Sequence, residues 1–324
     1  MTSDRIGAAR RQSTSGGTRP DPAAGAGGRS SGPSGLWETL ADLAGALQPM
    51  AFRRVGEEID ACLDRIPAQL NDYGYDRYGF HADTFRRTAL PAALLYQHYF
   101  RVENHDIDRV PTGGVLLVCN HAGQLPFDGM MLTTSMLLEA QPPRIVRPMA
   151  EYWVSRLPFV STLAARTGSM VGTRENCIKM LEAGECVMVF PEGVRGMNKL
   201  YSQRYVLQRF GLGFLRLALQ TQMPVVPVAL IGSEEQQPGI ANFEALARLL
   251  GMPALPITAT FPWLGPIGLM PLPVKYHFYF GEPLFFEGDP SDEDAVIQEK
   301  VDQVCASIES MFERGLRERR GVFS

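Results

Sequence analysis

The segment VCNHAGQLPFD, at residues 118–128, gives the strongest indication of the fold of this chain. It begins in an apolar run, residues 114–119, that is typical of a buried strand. A second stretch, VFPEGVRG at residues 189–196, continues the apolar run 186–190 in the same way. Because open α/β sheets form their sites at the carboxyl ends of strands, we expect both turns to meet at one edge of one sheet.

Composition limits the class of protein. With 324 residues, 45% of them hydrophobic, the chain can bury the core of one large domain with an appendage. The net charge of -4 and the lack of zinc-type or nucleic-acid motifs predict no nucleic-acid partner. The five scattered cysteines are expected to be reduced, buried thiols, and the sequence has neither a signal-peptide core nor an unbroken spanning segment. These features predict a cytoplasmic protein.

Three regions follow one another along the chain. Residues 1–34 contain almost no large apolar side chains, so we expect a disordered tail. Residues 35–100 are predicted to be helical, with helices over 36–70 and 83–100, and residues 101–324 are predicted to form the main domain.

Within the main domain, strand and helix patterns alternate, which predicts an α/β fold with a mixed, largely parallel central sheet flanked by helices. The predicted strands are 114–119, 144–147, 168–172, 186–190, 224–230 and 274–280, and the predicted helices are 128–140, 151–166, 174–183 and 205–221. A closing helix is expected after a capping box at residues 291–294.

His121 and Asp128 are the candidate base and its partner. A histidine can accept a hydroxyl proton near neutral pH, and a carboxylate can orient its ring. The plainer alternatives are a satisfied loop histidine and an N-cap aspartate for a helix starting at Gly129. Further ligands at metal spacing are missing from the sequence around this pair, so we predict no metal site.

The second stretch supplies a candidate anion clamp. Gly193 permits a tight turn that exposes Glu192 and Arg195 together, and an arginine fork suits a phosphate. Arg174, at a strand-to-helix turn, offers a second cation. The alternatives are a surface Glu–Arg pair of little energetic value and a solvated arginine.

Together these segments resemble the glycerophospholipid (1-acylglycerol-3-phosphate-type) acyltransferase family over residues 100–235. The matching blocks are Asn-His…Asp, a Gly…Arg turn, Phe-Pro-Glu-Gly-x-Arg and a Val-Pro-Val strand, in that order. The resemblance implies that His121 is the general base and that Asp128 is its partner.

The same resemblance implies that Glu192, Gly193 and Arg195, helped by Arg174, bind the phosphate and glycerol of the acceptor.

The sequence departs from the family pattern at two places. Six residues separate His121 from Asp128, where the family usually has four, and Val194 replaces a common threonine.

The implied reaction moves a fatty acyl group from an acyl thioester to a hydroxyl, within phospholipid biosynthesis. The donor is acyl-CoA or acyl-carrier protein, acting as co-substrate without a further cofactor, and the acceptor is a lysophospholipid or glycerol phosphate. Two alternatives remain: a thioester or lipid hydrolase, and a catalytically weak lipid-binding protein of the same fold. Release of free thiol separates them, because only a transferase needs both donor and acceptor.

Residues 252–273 are rich in proline and contain no charged side chain. The prolines exclude a regular spanning helix. We expect a peripheral membrane contact in which five side chains dip into one leaflet: Phe261, Trp263, Leu264, Leu269 and Met270. The competing interpretation is a loop packed across the sheet.

Overall fold

The computed structural model describes residue 45 and residues 49–67, 69–122, 125–242, 256–258 and 260–324. The predicted tail, residues 1–34, lies outside the described residues, as do residues 123–124 between the candidate base and its partner. The helix predicted over 36–70 and the apolar segment 252–273 are described only in part.

A seven-stranded sheet forms the centre of the protein. Its strands are β1 (Glu103–His105), β2 (Val115–Cys119), β3 (Val146–Ala150), β4 (Met170–Val171), β5 (Cys186–Val189), β6 (Val225–Ile231) and β9 (His277–Phe280), while β7 (Gly239–Asn242) and β8 (Pro256–Thr258) form a separate antiparallel ribbon. The strand order is β1-β9-β6-β2-β5-β3-β4. All neighbours are parallel except β6 and β9, which confirms the predicted mixed, largely parallel sheet.

Helices cover both faces of this sheet. They are α1 (Pro49–Leu63), α2 (Ala82–Leu94), α3 (Phe127–Leu138), α4 (Val160–Arg166), α5 (Arg174–Glu182), α6 (Val194–Met197), α7 (Gly213–Thr221) and α8 (Asp294–Glu318). A π-helical turn, Leu95–Tyr99, continues α2, and short 3-10 turns lie at Ile107–Arg109, Tyr152–Arg156, Tyr201–Gln203 and Gly265–Leu269. Within the described ranges, none of the helices combines the length and apolarity that a membrane crossing needs.

The two central strands are buried on both faces, as continuous apolar runs in parallel sheets should be. The predicted stripe on the closing helix, including Ile297, Val301 and Val304, packs into the cluster on one face. Met131 and Leu132 of α3 pack on the opposite face. Helices α1 and α2 form a third cluster that includes Leu137 of α3, so the described part of residues 35–100 packs against helix α3.

The helix predicted over 205–221 begins only at Gly213. The preceding backbone is drawn into other bonds: Gln208 donates its N–H to Glu192 and Gly211 donates to the carbonyl of Pro191. Because side-chain and loop acceptors bind these N–H groups, residues 205–212 do not form the first two turns of the predicted helix.

Other boundaries also differ from the prediction. The helix predicted over 151–166 is divided at Pro158 into a 3-10 turn and α4, and the strand predicted over 144–147 is Val146–Ala150. The capping box at 291–294 is wrong, because α8 starts after Glu293 with no side-chain cap bond.

Candidate active site

His121 and Asp128 lie against each other at the carboxyl end of β2. His121 follows the strand by two residues, and Asp128 lies in the first turn of α3. The ring Nδ1 of His121 is 2.7 Å from Oδ2 of Asp128. Asp128 is fully buried and His121 is 8% exposed. The six intervening residues therefore still bring the carboxylate to the ring.

Asp128 has further partners that fix its position. Oδ2 also accepts the backbone N–H of Ala122 at 3.1 Å, and Oδ1 accepts that of Gly129 at 2.7 Å. Helix α3 starts at Phe127, with Pro126 in the cap position, so the alternative in which Asp128 is the N-cap of a helix starting at Gly129 is wrong. The carboxylate is instead turned back toward the loop that carries His121.

This contact indicates which ring nitrogen of His121 is the hydrogen-bond donor and which is the acceptor. With Nδ1–H donated to the carboxylate, Nε2 keeps the lone pair that can accept a proton. The ring of Phe190 stacks on the imidazole with centroids 4.2 Å apart, which shields one face of the ring. The arrangement can therefore act as a carboxylate-oriented base toward a group that approaches Nε2.

Glu192 supports the same loop from the turn that follows the neighbouring strand, β5. Its Oε1 accepts the backbone N–H of His121 at 2.9 Å, and its Oε2 accepts that of Gln208 at 2.7 Å. The side chain of Glu192 is buried, and Lys199 Nζ lies 3.2 Å from its Oε2. Both carboxylate oxygens are thus occupied by donors of the protein.

Lys199 and Glu234 complete this buried network and were missed by the sequence analysis. Lys199 Nζ donates to Glu234 Oε1 at 2.8 Å, and Glu234 Oε2 accepts the N–H of Tyr205 at 2.5 Å. Burial raises the pKa of the Glu234 carboxyl, while the Lys199 ammonium opposes that shift. A sequence signal did exist, because five polar residues, 233–237, follow the apolar strand β6 after Gly232. The structure shows all five to be buried.

Two glycines allow the turn after β5 to approach the His121 loop. Gly193 has a φ of 56°, which favours glycine. A Cβ on Gly196 would come within 2.8 Å of the His121 carbonyl oxygen and 2.9 Å of Glu192 Cβ. The first is a backbone atom and the second is bonded directly to the backbone, so neither can move cheaply and this close approach depends on glycine at 196.

The two candidate anion-binding arginines lie differently. Arg195 is exposed, and its Nη2 donates to the carbonyl of Arg209 at 3.2 Å. Both Nε and Nη2 of Arg174 donate to Gln220 on α7, at 3.0 and 2.6 Å. Within the part of the chain that is described, no contact joins Arg174 to the His121–Glu192 group.

Another cluster, on β1 and β9, brings possible metal ligands together. Among the described residues, Glu103, His105 and His277 offer ligand atoms within 4.8 Å of one another. Glu103 is however paired with Lys275 at 2.9 Å, and His105 Nε2 and His277 Nδ1 face each other at 3.3 Å. Burial lowers the pKa of His277 to about 4. The cluster forms an ion pair and a histidine contact, separate from His121.

Cys119 bears on the hydrolase alternative, because a cysteine thiolate can serve as the nucleophile of a hydrolase. It is fully buried in β2, and burial raises the pKa of its thiol well above the ordinary value. A buried thiol of this kind is a poor nucleophile.

Residues 101–231 match the family model described as Acyltransferase. An uncharacterized protein of Mycobacterium leprae is 36% identical over 302 residues, covering 91% of this chain and 80% of that protein. An uncharacterized protein of Mycobacterium tuberculosis is 40% identical over 260 residues, covering 78% of this chain and 72% of that protein.

Two further similarities are more distant. The human protein named DGAT1/2-independent enzyme synthesizing storage lipids is 22% identical over 218 residues, covering 66% of this chain and 62% of that protein. The crystal structure of the 1-acyl-sn-glycerophosphate (LPA) acyltransferase PlsC from Thermotoga maritima aligns with 89% of this chain and 98% of that chain, with a TM-score of 0.48 and 17% identity. The family model and the mycobacterial relatives are therefore the informative similarities.

Proposed function

This chain belongs to the glycerophospholipid acyltransferase family and is an acyltransferase, and we propose that it moves a fatty acyl group from an acyl thioester to a hydroxyl of a glycerophospholipid-type acceptor. The observation that carries this proposal is the 2.7 Å contact between His121 Nδ1 and Asp128 Oδ2, which leaves Nε2 as a proton acceptor at a sheet edge. A lysophosphatidate fits the acceptor class, and acyl-CoA or acyl-carrier protein fits the donor.

In the proposed reaction, the acceptor hydroxyl donates a hydrogen bond to Nε2 of His121. As its oxygen bonds to the thioester carbon, the hydroxyl proton passes to Nε2, and Asp128 stabilises the imidazolium that forms. The tetrahedral intermediate then breaks its carbon–sulfur bond, and the departing sulfur takes the proton from the imidazolium. The products are the acyl ester and a free thiol, and His121 returns to its neutral state.

Arg195 is the better placed of the two arginines for an acceptor phosphate. It lies on the turn that Glu192 anchors beside His121, and its guanidinium is exposed. A guanidinium can donate two parallel hydrogen bonds to a phosphate. In the proposed complex, Glu192 fixes the loop of the base, and Arg174 acts at longer range.

Thiol release tests the reaction class. Acyl-CoA and acyl-carrier protein donors are each incubated with lysophosphatidate, glycerol 3-phosphate, another lysophospholipid or a neutral lipid alcohol, and free thiol and acylated product are measured. We expect thiol and product in equal amounts, and only where donor and phosphorylated acceptor are both present. Thiol released by donor alone would indicate a hydrolase, and no thiol with any pair would indicate a binding protein.

We also propose that the enzyme works as a peripheral protein on the cytoplasmic membrane surface. An apolar ridge, defined as Trp263, Leu264, Ile267 and Met270, supports this, because these side chains are 75%, 59%, 74% and 61% exposed. Phe261 and Leu269, which were expected in the same contact, are partly buried.

The ridge is linked to the candidate site through one glutamine. Gln237 donates to the carbonyl of Leu269 at 2.6 Å, and its Oε1 accepts the N–H of Leu125 at 3.4 Å, on the loop after His121. An enzyme that takes an acceptor from a bilayer needs an apolar surface near the opening of its site.

Charge on the ridge tests this contact. The double variant Trp263→Glu/Leu264→Glu should lose binding to phospholipid vesicles, remain folded and keep activity on detergent-dispersed acceptor. Phe285→Glu is the matched control, because Phe285 is 72% exposed but follows Leu284, which pairs with the first residue of β6 at the opposite sheet edge. Unfolding of the double variant would favour a packed loop, and unchanged vesicle binding would remove the ridge as a contact.

A further inference from the structure

Phe159 is displayed by an unusual backbone turn. Its φ is 63° and its ψ is -45°, and Val160 donates its N–H to the carbonyl of Pro158 at 2.7 Å. These values and this bond define a γ-turn with positive φ, which is rare and strained for a bulky residue. The side chain gains no packing in return, because Phe159 is 89% exposed. An aromatic ring held outward at such a cost indicates a surface that contacts something.

Other apolar side chains extend this surface. Tyr152, Val160 and Leu163 are 62%, 48% and 49% exposed, and together with Phe159 they form what we define as the Phe159 patch. Two exposed cations flank the patch along the chain: Arg156, which lies 4.9 Å from the centre of the Tyr152 ring, and Arg166 at the end of α4, which lies 6.0 Å from the centre of the Tyr75 ring.

The patch lies at the same sheet edge as the candidate site. It follows the carboxyl end of β3, and a Cβ on Gly193 would lie 3.1 Å from Oε1 of Glu151, the residue before Tyr152. Strand β3 is on one side of β2 and β5, while Gln237, which holds the apolar ridge, follows β6 on the other side. The patch and the ridge therefore flank the His121–Glu192 turns.

We propose that the Phe159 patch is a second membrane-contact surface, which takes an anionic phospholipid surface as its occupant. The chemistry of the patch fits that occupant: aromatic and aliphatic side chains can enter the interfacial region, and the bordering guanidinium groups attract anionic headgroups. Two apolar surfaces on either side of one site suit a flat bilayer. The inference rests on the proposed lipid acceptor, and it adds a contact that the ridge alone does not provide.

The test compares two asparagine variants of the full chain. Phe159→Asn removes the ring but tolerates positive φ, so the variant should melt no lower than the wild type. Phe285→Asn is the matched control on the opposite sheet edge. Sedimentation with vesicles of equal parts phosphatidylglycerol and phosphatidylcholine measures the bound fraction, and circular dichroism measures folding.

We expect Phe159→Asn to weaken vesicle binding at least fivefold, Phe159→Asn/Leu163→Gln to weaken it further, and Phe285→Asn to leave it unchanged. Vesicles of phosphatidylcholine alone should bind the wild type more weakly, because the cations then lack anionic headgroups. Equal binding by wild type and both Phe159 variants would overturn the proposal, and would leave a protein partner as the occupant to seek.

Activity on detergent-dispersed acceptor separates this inference from the proposed function. A folded Phe159→Asn protein should transfer acyl groups at the wild-type rate in detergent, because the patch lies outside the reacting groups. Loss of vesicle binding by Phe159→Asn, with no transfer by the wild type, would support the patch and contradict the proposed reaction. Unchanged vesicle binding with normal transfer would contradict the patch alone.

Discussion

Glu192 holds the backbone of His121: its Oε1 lies 2.9 Å from the His121 nitrogen, and its Oε2 accepts the N–H of Gln208. The carboxylate of the family motif is therefore directed at the loop of the candidate base. Because a carboxylate accepts at both oxygens, it can join two loops that an amide would hold less well.

Glu192→Gln should lower kcat by roughly 10- to 150-fold with a smaller change in the KM for acceptor, since about 1.5–3 kcal/mol is typical of a hydrogen bond to a charged group. The amide nitrogen of glutamine would oppose one of the two backbone donors and shift His121. Steady-state kinetics on the folded variant check this. Glu151→Gln, at an exposed carboxylate beside the same turn, is the control, and an unchanged kcat for Glu192→Gln would show that the His121 loop does not depend on this contact.

Lys199 separates two buried carboxylates, Glu192 and Glu234. Lys199→Met should lower the free energy of unfolding by about 3–5 kcal/mol, because it leaves buried charge uncompensated. Denaturant unfolding measures the change, and Arg53→Met, which breaks an exposed pair with Glu57, should cost less than about 1 kcal/mol.

The double variant Lys199→Met/Glu234→Gln should recover part of the stability lost in Lys199→Met, since it removes one of the two charges.

The pH dependence of the stability has a defined sign. Burial raises the pKa of Glu234, so the folded chain holds that proton more tightly, and stability falls as pH rises through the shifted range. The loss of unfolding free energy in Lys199→Met should therefore be smaller in mildly acidic than in mildly alkaline buffer. A loss that does not depend on pH would argue against Glu234 as its source.

Gly196→Ala should destabilise the protein by about 1–3 kcal/mol and reduce kcat, because the added Cβ would press on the His121 carbonyl and on Glu192. Thermal unfolding and turnover are measured together. Gly56→Ala is the control, since a Cβ there meets nothing within 4 Å inside helix α1, and alanine should stabilise it by about 0.5–1 kcal/mol. A neutral Gly196→Ala variant would show that the turn can move away from the base.

Arg195→Ala should lower kcat/KM for a phosphorylated acceptor by roughly 10- to 150-fold, which corresponds to about 1.5–3 kcal/mol. Arg174→Ala should have a smaller effect, because its guanidinium is bonded to Gln220. Parallel assays with a neutral alcohol acceptor are the comparison. Equal losses with neutral and phosphorylated acceptors would show that Arg195 is structural or that the acceptor carries no phosphate.

The sheet and the edge that carries the site follow from local sequence. Strands β2 and β5 are continuous apolar runs, and the turn residues after them fix where His121 and Glu192 emerge. Their pairing in one sheet brings the two turns together. The contact between His121 and Asp128, which six residues separate, could therefore be predicted from the sequence.

Contacts between distant segments could not be predicted from the sequence. In the sequence, nothing distinguishes Lys199 from a surface lysine. The fold brings it between Glu192 and Glu234, and Glu234 is 35 residues away along the chain. The first turns of the helix predicted over 205–221 have an apolar helical pattern, yet their N–H groups are taken by Glu234 and Glu192. In both cases the outcome depends on a carboxylate from a distant segment. Hydrophobic periodicity carries no information about such a contact.

The rate of acyl transfer by His121→Ala is the decisive measurement for the role of His121 as the general base. Loss of a general base predicts a kcat lower by about two to four orders of magnitude, with the far-ultraviolet circular dichroism spectrum retained and partial recovery when imidazole is added. A folded His121→Ala protein that transfers acyl groups at nearly the wild-type rate would contradict the assignment of His121 as the base.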